Sequence, residues 1–190
     1  AANQKLNESA AAMHPRYAVV NPAANAGLVE GLKGLFNPVS TVSKQFKSGL
    51  MGEGILGLDE MSMSQSIQNF TTGSRLSGAT VATTVSTEGA TTLVITTSGA
   101  ASQTVKAGDV FTVAGCYAVN PQTRQTTGSL YQFVVLADAT AATNTLTLTG
   151  LMPMYSATQA LATMDALPVS AAAVTWLGSA STAYPQNLIY

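Results

Sequence analysis

Few side chains in this sequence could perform chemistry, and those few are far apart along the chain. There is one histidine, His14, and one cysteine, Cys116, so the chain cannot complete a zinc site of four nitrogen and sulfur ligands. A Ser-His-Asp triad would need His14 as its base, but no serine lies in the strand–turn–helix elbow that exposes a nucleophile. Cys116 has no cation near it in sequence to stabilise a thiolate, so it is interpreted as a small buried side chain.

Two further patterns match functional motifs only in their letters. Asp59 and Glu60 are neighbours, so on a strand they point to opposite faces and cannot cooperate as an acid and a base. Residues 52–57, Gly-Glu-Gly-Ile-Leu-Gly, match the dinucleotide fingerprint, which needs a strand before it and a helix after it. The flanking patterns here predict the reverse, so we interpret this segment as a turn. The sequence therefore predicts a protein that is not an enzyme, with no catalytic residue, no cofactor and no metal site.

The composition favours a structural protein whose surface is covered by other protein. Charged residues make up 9% of the 190 residues and the net charge is −1, against roughly 25% charged residues in an average soluble domain. The eight lysines and arginines are too scattered for a nucleic-acid surface, and no apolar run approaches the roughly 18 residues that span a bilayer. The single cysteine favours a reducing compartment. Because the chain begins with Ala1 and ends in the strand-like Asn187–Tyr190, we expect it to be an internal fragment of a longer protein.

The first 70 residues contain two helical patterns and one strand pattern. Asn21 and Pro22 are typical of a helix start, because Asn can cap free N–H groups and Pro loses no needed donor there. A second helix is predicted from Ser40 to Gly52, and a strand with one serine-lined face is predicted from Leu58 onward. The apolar positions are Leu28, Leu32, Leu35 and Phe36 in the first helix, Val42, Phe46 and Leu50 in the second, and Met61, Met63 and Ile67, with Gln65, in the strand.

Short strands separated by turns dominate the remaining 120 residues, in which 24 threonines accompany only seven charged side chains. Leu146 and Leu148 alternate with threonines, so they are predicted to point inward. A short helix at Ala157–Ala166, with Leu161 and Met164 turned inward, is predicted to close one end. The predicted strands are Ala79–Val85, Thr91–Thr97, Asp109–Asn120, Ser129–Ala137, Asn144–Gly150 and Ala172–Leu177.

These patterns together predict an α+β chain that is mostly β, with a helical part followed by an antiparallel β-barrel or sandwich. The boundary is placed near Phe70–Gly73, where ten charged residues in the first 70 give way to seven in the next 120. Trp176 lies among Ala, Val and Leu and is interpreted as core. An exposed tryptophan would instead favour sugar stacking.

Several short motifs resemble the major coat proteins of tailed bacteriophages, in particular the short-tailed temperate phages and related prophages whose capsid fold carries an inserted β-barrel. The motifs follow the family's order over nearly the whole chain, which makes the set specific although each is short. They are Leu6-Asn7, Arg16–Pro22, Gly57–Glu60, Lys106–Gly115, Asn120–Arg124, Gly128, Phe133–Val135 and Tyr184–Leu188.

The resemblance implies three parts: residues 1–71 in the capsid shell domain, 72–176 as the inserted antiparallel β-barrel, and 177–190 returning to the shell domain. It implies self-association into pentamers and hexamers of an icosahedral shell in the virion capsid. It also implies assembly in the host cytoplasm with a scaffolding protein, and no specific binding to nucleic acid or membrane. The family's N-terminal arm and spine helix are missing, and segment 78–97 is too short for the long intersubunit loop of some members.

The loop between the two apolar strands near residues 120 and 128 is a candidate subunit interface. It is long for a hairpin and polar, and an arginine in a coat subunit is typical of interfaces. The residues predicted to contact another subunit or the shell domain are Pro121, Gln122, Thr123, Arg124, Gln125 and Thr126. The alternative to a capsid subunit is a non-enzymatic β-rich binding module of the carbohydrate-binding or adhesin-like kind, which a row of exposed aromatic side chains would favour.

Overall fold

The structure is a computed structural model that describes residues 2–32, 52–55, 57–75, 78–97, 102–142 and 144–189. Strands far outnumber helices in this part of the chain, so the prediction of a mostly β protein is confirmed. The chain forms two compact units, residues 1–70 with 184–190 and residues 71–183. The finer boundaries expected after residues 71 and 176 stay a prediction.

Two helices and fourteen strands lie in the described residues and are numbered in chain order. They are α1 Ala2–Glu8, β1 Tyr17–Val20, α2 Pro22–Leu32, β2 Gly52–Ile55, β3 Leu58–Met63, β4 Asn69–Thr71, β5 Thr80–Val81, β6 Leu93–Thr96, β7 Thr104–Val105, β8 Val110–Val119, β9 Thr126–Val134, β10 Ala139–Thr140, β11 Thr145–Leu148, β12 Val174–Trp176, β13 Ala183–Pro185 and β14 Leu188–Ile189.

A four-stranded sheet in the order β14-β1-β3-β2 forms the centre of the first unit. β1 runs parallel to β3, while β14 and β2 pair antiparallel with their neighbours. The predicted start of α2 is confirmed, because the Asn21 Oδ1 accepts the Ala24 N–H at 2.9 Å and so caps the helix. The helix packs Leu28 against a small core of Ala18, Val20, Leu58 and Met61.

A buried arginine, Arg16, holds the segment that joins α1 to β1. Its Nε donates to the Ala12 carbonyl at 2.7 Å, and its Nη2 donates to the Ala11 carbonyl at 3.1 Å. Its Nη1 donates to the Asn7 Oδ1 at 2.8 Å and also to the Asn3 Oδ1. Neutral oxygens therefore surround the buried charge, and the guanidinium ties α1 to the sheet.

The second unit contains two three-stranded sheets, β11-β6-β5 and β12-β8-β9, and the strand pair β10-β7. Backbone hydrogen bonds join β5 to the β12 segment. The Val81 N–H donates to the Ala172 carbonyl at 2.9 Å, and the Val174 N–H donates to the Ala79 carbonyl at 2.8 Å. These bonds place six strands side by side, although the described residues do not form a closed barrel.

Apolar side chains on alternate positions of these strands form one continuous core. The burial of Leu146 and Leu148 between exposed threonines confirms the predicted alternation of β11. Phe111 stacks on Phe133 with ring centroids 5.0 Å apart, and Trp176 packs on Phe111 at 5.1 Å. The buried members are Ala79, Val81, Leu93, Ile95, Val105, Phe111, Val113, Cys116, Phe133, Val135, Ala141, Leu146, Leu148, Leu151, Met154, Met164 and Val174.

The helix predicted at Ala157–Ala166 is wrong, because this segment consists of turns. Its amides find partners across the loop, as when the Ala157 N–H donates to the Asp165 carbonyl at 3.3 Å, instead of forming helical bonds. Met164 is buried as predicted, but Leu161 is 72% exposed. The apolar spacing therefore did not indicate a buried helix face here.

Two predictions for the first unit also need correction. Gly52–Ile55 forms β2 rather than a turn, and the reversal occurs at Gly57, whose φ of 75° suits glycine. The strand that follows ends at Met63, so the alternation predicted as far as Ile67 is wrong. The helix predicted from Ser40 to Gly52 lies outside the described residues, except for Gly52, which belongs to β2. The part of the first predicted helix beyond Leu32 also lies outside them.

An ion pair between Arg75 and Asp109 lies inside the second unit, where both side chains are almost fully buried. Arg75 Nη1 lies 3.1 Å from the Asp109 Oδ1, without the alignment of a hydrogen bond. The Nη2 donates to the carbonyls of Gly178 and Ser179 at 3.2 and 3.0 Å. The guanidinium carbon also lies 5.4 Å from the centroid of the Trp176 ring, a cation–π distance.

The Asp109 carboxylate organises the backbone on the other side of the pair. Its Oδ2 accepts the N–H groups of Lys106 at 2.8 Å and Gly73 at 3.2 Å. Gly73 lies so close to the Thr104 carbonyl that a Cβ atom would overlap it, so only glycine fits. The pair therefore connects the segment that enters the unit, the turn before β8 and the segment that leaves the unit.

We predict that Asp109→Asn lowers the free energy of unfolding by about 3–5 kcal/mol, because it leaves a buried arginine without its counter-charge. Asp138→Asn is the matched control, since that carboxylate is exposed, and its cost is expected to stay within about 1 kcal/mol. The double variant Arg75→Met/Asp109→Asn is expected to cost less than the two single changes added together. Urea denaturation followed by circular dichroism measures these three variants and the single variant Arg75→Met. Equal costs for the two aspartate variants would contradict a structural role for the pair.

Candidate subunit interface

The loop between β8 and β9 is ordered by its own hydrogen bonds. Asn120 Oδ1 accepts the N–H groups of Gln122 at 2.9 Å and Thr123 at 3.2 Å. The Asn120 carbonyl accepts the Arg124 N–H at 2.8 Å, and the Asn120 N–H donates to the Gln125 carbonyl at 3.0 Å. These bonds are typical of an Asx-turn. The extra residues of this loop, compared with a short hairpin, therefore form a defined turn.

The residues predicted as an interface lie together at this turn and are all exposed, with Thr126 beginning β9. Arg124 has a φ of 57°, and its Nη2 donates to the Ala160 carbonyl at 2.8 Å. Since both residues belong to the unit of residues 71–183, this contact holds the loop against a neighbouring loop of the same unit. The predicted contacts of Pro121, Gln122, Thr123, Arg124, Gln125 and Thr126 with another subunit or with the shell domain stay a prediction.

A groove with a volume of about 460 Å³ lies beside this loop, and we call it the loop groove. Its rim carries two exposed apolar side chains, Leu161 at 72% and Met152 at 57% exposure. The sequence did not indicate the groove, because its walls come from separate segments. The described lining residues are Pro121, Arg124, Tyr131, Met152, Pro153, Tyr155, Ala160, Leu161, Ala162 and Thr163.

One wall of the loop groove is fixed by a carboxylate from a distant turn. Glu88 Oε1 accepts the Ser156 hydroxyl at 2.5 Å, and its Oε2 accepts the Ser156 N–H at 2.9 Å. The adjacent Gly89, with a φ of 76°, leaves room for the Tyr155 ring, since a Cβ atom would lie 3.1 Å from the Tyr155 hydroxyl oxygen. The wall is therefore held by contacts formed in the folded chain, and the groove is preformed.

A second exposed apolar surface lies at the other end of β9, and we call it the Leu136 patch. It consists of Val134, Leu136 and Asp138, with Leu136 54% exposed. Asp138 Oδ1 accepts the Ala107 N–H at 2.8 Å, which fixes the carboxylate at the surface. Apolar side chains exposed beside a fixed charge are typical of protein–protein contact surfaces.

His14 and Asp59 are brought together in the first unit, which the sequence did not indicate. His14 Nδ1 lies 3.2 Å from the Asp59 Oδ1, but the histidine side chain is 77% exposed, as predicted for a surface residue. The Arg16 N–H donates to the Asp59 Oδ2 at 2.7 Å, and this hydrogen bond lowers the pKa of the carboxyl group. Glu60 is exposed and pairs across the sheet with the backbone of Tyr17. The arrangement is a surface contact between an imidazole and a carboxylate beside a strand start.

The residues that the structure describes contain no cluster of three or more histidine, cysteine or acidic side chains that could hold a metal ion. None of the described helices has the length and apolar character needed to cross a membrane. The exposed aromatic side chains in the same part of the chain are Tyr117 and Tyr184, one in each unit. They do not form the row that a carbohydrate-binding surface would show.

Cys116 is buried on β8, as predicted. Removal of the thiol from water raises its pKa to about 11, and the nearby Asp165 carboxylate adds to the rise. The thiolate is the nucleophilic form of cysteine, so this thiol is unreactive near neutral pH. The buried side chain serves packing.

We predict that native Cys116 reacts with a thiol reagent at pH 8 roughly a hundredfold more slowly than an exposed cysteine. The control is Thr147→Cys in a Cys116→Ala background, because Thr147 is exposed on β11. Since an unfolded thiol titrates near about 8.5, the unfolded chain loses its proton first. The free energy of unfolding is therefore expected to fall as pH rises from about 8.5 to the native value of about 11. Equal labelling rates at the two positions would show that the thiol is accessible.

Comparison with known proteins gives a family match and similar solved structures. The family model described as "P22 coat protein - gene protein 5" matches residues 11–190. The chain is similar to a solved structure titled "CUS-3 coat protein I-domain", with 26% identity over 54% of this chain and 97% of that chain and a TM-score of 0.39. A search of curated proteins found no match.

The family match covers all of β1 to β14 and therefore includes the second unit and most of the first. It also contains most of the short motifs from which a phage coat protein was inferred, so that inference is confirmed. This chain belongs to the P22 coat protein family.

Proposed function

We propose that this chain is part of the shell subunit of a tailed phage or prophage, and that copies of the subunit associate into the pentamers and hexamers of an icosahedral capsid. The observation that carries the proposal is the coat-family match over residues 11–190. Membership of that family implies a structural protein of the virion capsid. The low charge supports extensive self-association, because surfaces covered by neighbours need few charges. Such a role needs no catalytic group, and none is proposed.

We propose further that the two compact units correspond to two different domains of the coat fold. Residues 1–71 and 177–190 belong to the shell domain, and residues 72–176 form the inserted antiparallel β-barrel. Two observations support this division. The β14 strand pairs with β1 although the two lie at opposite ends of the chain, and the strands between residues 79 and 176 share one apolar core.

Assembly partners follow from the same proposal. Other copies of the coat protein are the permanent partners, and a scaffolding protein acts during assembly in the host cytoplasm. The unpaired Cys116 is compatible with that reducing compartment. The scattered basic residues support a shell that encloses nucleic acid without binding a specific sequence.

We predict that residues 71–183 fold alone and unfold in one cooperative transition, because the unit has its own core. The matched shorter polypeptide, residues 72–176, is expected to lose about 1–3 kcal/mol of stability. It lacks the Gly178 and Ser179 carbonyls that accept from Arg75, and it lacks the Thr182 carbonyl that accepts the Thr72 N–H at 3.1 Å. Thermal unfolding followed by circular dichroism compares the two. A disordered spectrum for the longer polypeptide would show that the first unit is needed for folding.

We predict that expression of the complete coat gene with its scaffolding protein gives closed shells in negative-stain electron microscopy. Arg124→Ala is expected to reduce the yield or uniformity of the shells while changing stability by about 0.5 kcal/mol or less, as at other surface positions. Thr147→Ala, at an exposed position of β11 outside this loop, is the control for a general effect of a surface substitution. Failure of the unaltered protein to form shells would contradict the proposed function. Normal shells from Arg124→Ala would contradict the interface role of Arg124 alone.

A further inference from the structure

β9 is an edge strand. In the described part of the chain it pairs with β8 on one side, and no other described strand pairs with it. Proteins commonly protect a long edge with lysine, proline or a bulge, because its free N–H and C=O groups can pair with another chain. β9 is nine residues long and contains no charged residue and no proline. Its free side therefore has the composition of an edge that can accept a further strand.

The hydrogen bonds of β8 identify the β9 residues that point to the free side. Opposite residues of an antiparallel pair either bond to each other or both point away. The Val110 carbonyl accepts the Leu177 N–H at 2.9 Å, so Val110 points away from β9. Val134 lies opposite Val110, and its N–H and C=O therefore point to the free side. Gln132, two residues away in the same continuous register, points the same way.

Leu130 points to the free side for the same reason. The opposite residue, Tyr117, donates its N–H to the Asp165 Oδ1 at 2.7 Å, and its carbonyl accepts the Asp165 N–H at 3.0 Å. Both backbone groups of Tyr117 therefore face away from β9. Leu130, Gln132 and Val134 together direct alternate N–H and C=O groups outward, which is the pattern that a new antiparallel neighbour needs.

The side chains at this edge leave room for a neighbour and carry opposite charges at its two ends. Gln132 and Val134 are exposed, and Leu136 is 54% exposed. Arg124 precedes the strand and Asp138 follows it, and both are exposed. A second β9 that runs antiparallel reverses this order. Each arginine then lies at the end where the other copy has its aspartate.

We propose that β9 of one subunit pairs antiparallel with β9 of a second copy of the coat protein, about a twofold axis at Gln132. The inference rests on the proposed function and names a surface through which two subunits would meet. The same surface is used on both copies, so the contact is isologous. Between Thr126 and Leu130 β9 takes four residue steps where β8 takes two, so the successive outward positions are Thr126, Leu130, Gln132, Val134 and Leu136.

A centre at Gln132 matches the charges at the two ends of the strand. It places Thr126 of one copy opposite Leu136 of the other, which covers part of the exposed leucine. Arg124 lies two residues before Thr126, and Asp138 lies two residues after Leu136. The two charges therefore meet once at each end of the pair. A shift by one outward position would place each charge beside an uncharged residue.

A cysteine on the twofold axis tests the pairing. Gln132→Cys in the complete coat protein is expected to give disulfide-linked dimers when assembled shells are oxidised and run on a non-reducing gel. The two opposite Cα atoms would lie about 5.5 Å apart, within the range of a disulfide. Thr147→Cys, exposed on β11, is the control and is expected to remain monomeric, as is the unaltered protein with its buried Cys116. Monomers from Gln132→Cys, or equal dimer yields from both variants, would overturn the pairing.

A proline tests the role of the backbone. Gln132→Pro removes an N–H that β8 does not use, so the unit is expected to keep its fold. Each contact loses one hydrogen bond from each copy, and shell assembly followed by light scattering is expected to slow by about tenfold. Gln132→Ala keeps the N–H and is expected to assemble at the unaltered rate. Equal rates for the two variants, with native circular dichroism, would overturn the inference. If the proline variant loses its fold, the cysteine experiment decides.

Charge exchange in the Gln132→Cys protein tests the centre of the pair. Arg124→Asp is expected to lower the dimer yield by about fivefold or more, because like charges then meet. Addition of Asp138→Arg is expected to restore most of the yield. No recovery in this combined variant would overturn the centre at Gln132.

These outcomes are separate from the fate of the proposed function. If the unaltered protein forms shells but Gln132→Cys gives no dimers, the coat function stands and the β9 pairing is wrong. If the unaltered protein forms no shells, the proposed function itself is wrong.

Discussion

The second unit depends on the buried ion pair between Arg75 and Asp109. A buried charge is costly unless it is paired and hydrogen-bonded. Hydrogen bonds to backbone groups of Gly73, Gly178 and Ser179 offset the free-energy cost of burying this pair. These residues lie in the segments where the chain enters and leaves the unit. The two ends of an inserted unit are thereby fastened at one point. We therefore expect the six neighbouring strands and their core to form without support from the rest of the chain.

The first unit uses a buried arginine in a related way but without a carboxylate. Arg16 donates to the Asn7 amide oxygen of α1 and to carbonyls of the segment after α1, while Asp59 accepts its backbone N–H. In both units a buried charged side chain therefore positions backbone.

The exposed features of the second unit are arranged around β9. One end of this strand carries the turn with Arg124, and the other leads to Leu136 and Asp138. The hydrogen bonds between Glu88 and Ser156 hold one wall of the loop groove in place.

The sequence by itself determined the local features. The alternation of Leu146 and Leu148 with threonines, the Asn21 cap and the ordered coat motifs all depend on residue types within a few positions of one another. The helical period, the strand period and helix capping all depend on residues that are close together in the sequence. These predictions were therefore correct where the structure describes them, whereas Leu161 was wrongly placed inside.

Only the tertiary structure decided which distant residues meet. The partnership of Arg75 with Asp109, the clamp of Glu88 on Ser156 and the joining of Arg124 to the 157–166 loop depend on strand register. No local pattern records that register, because it is set by the packing of the whole core. The exposure of Leu161 also depends on distant contacts, because the 157–166 loop forms its hydrogen bonds across the loop and to Tyr155 and not within a helix.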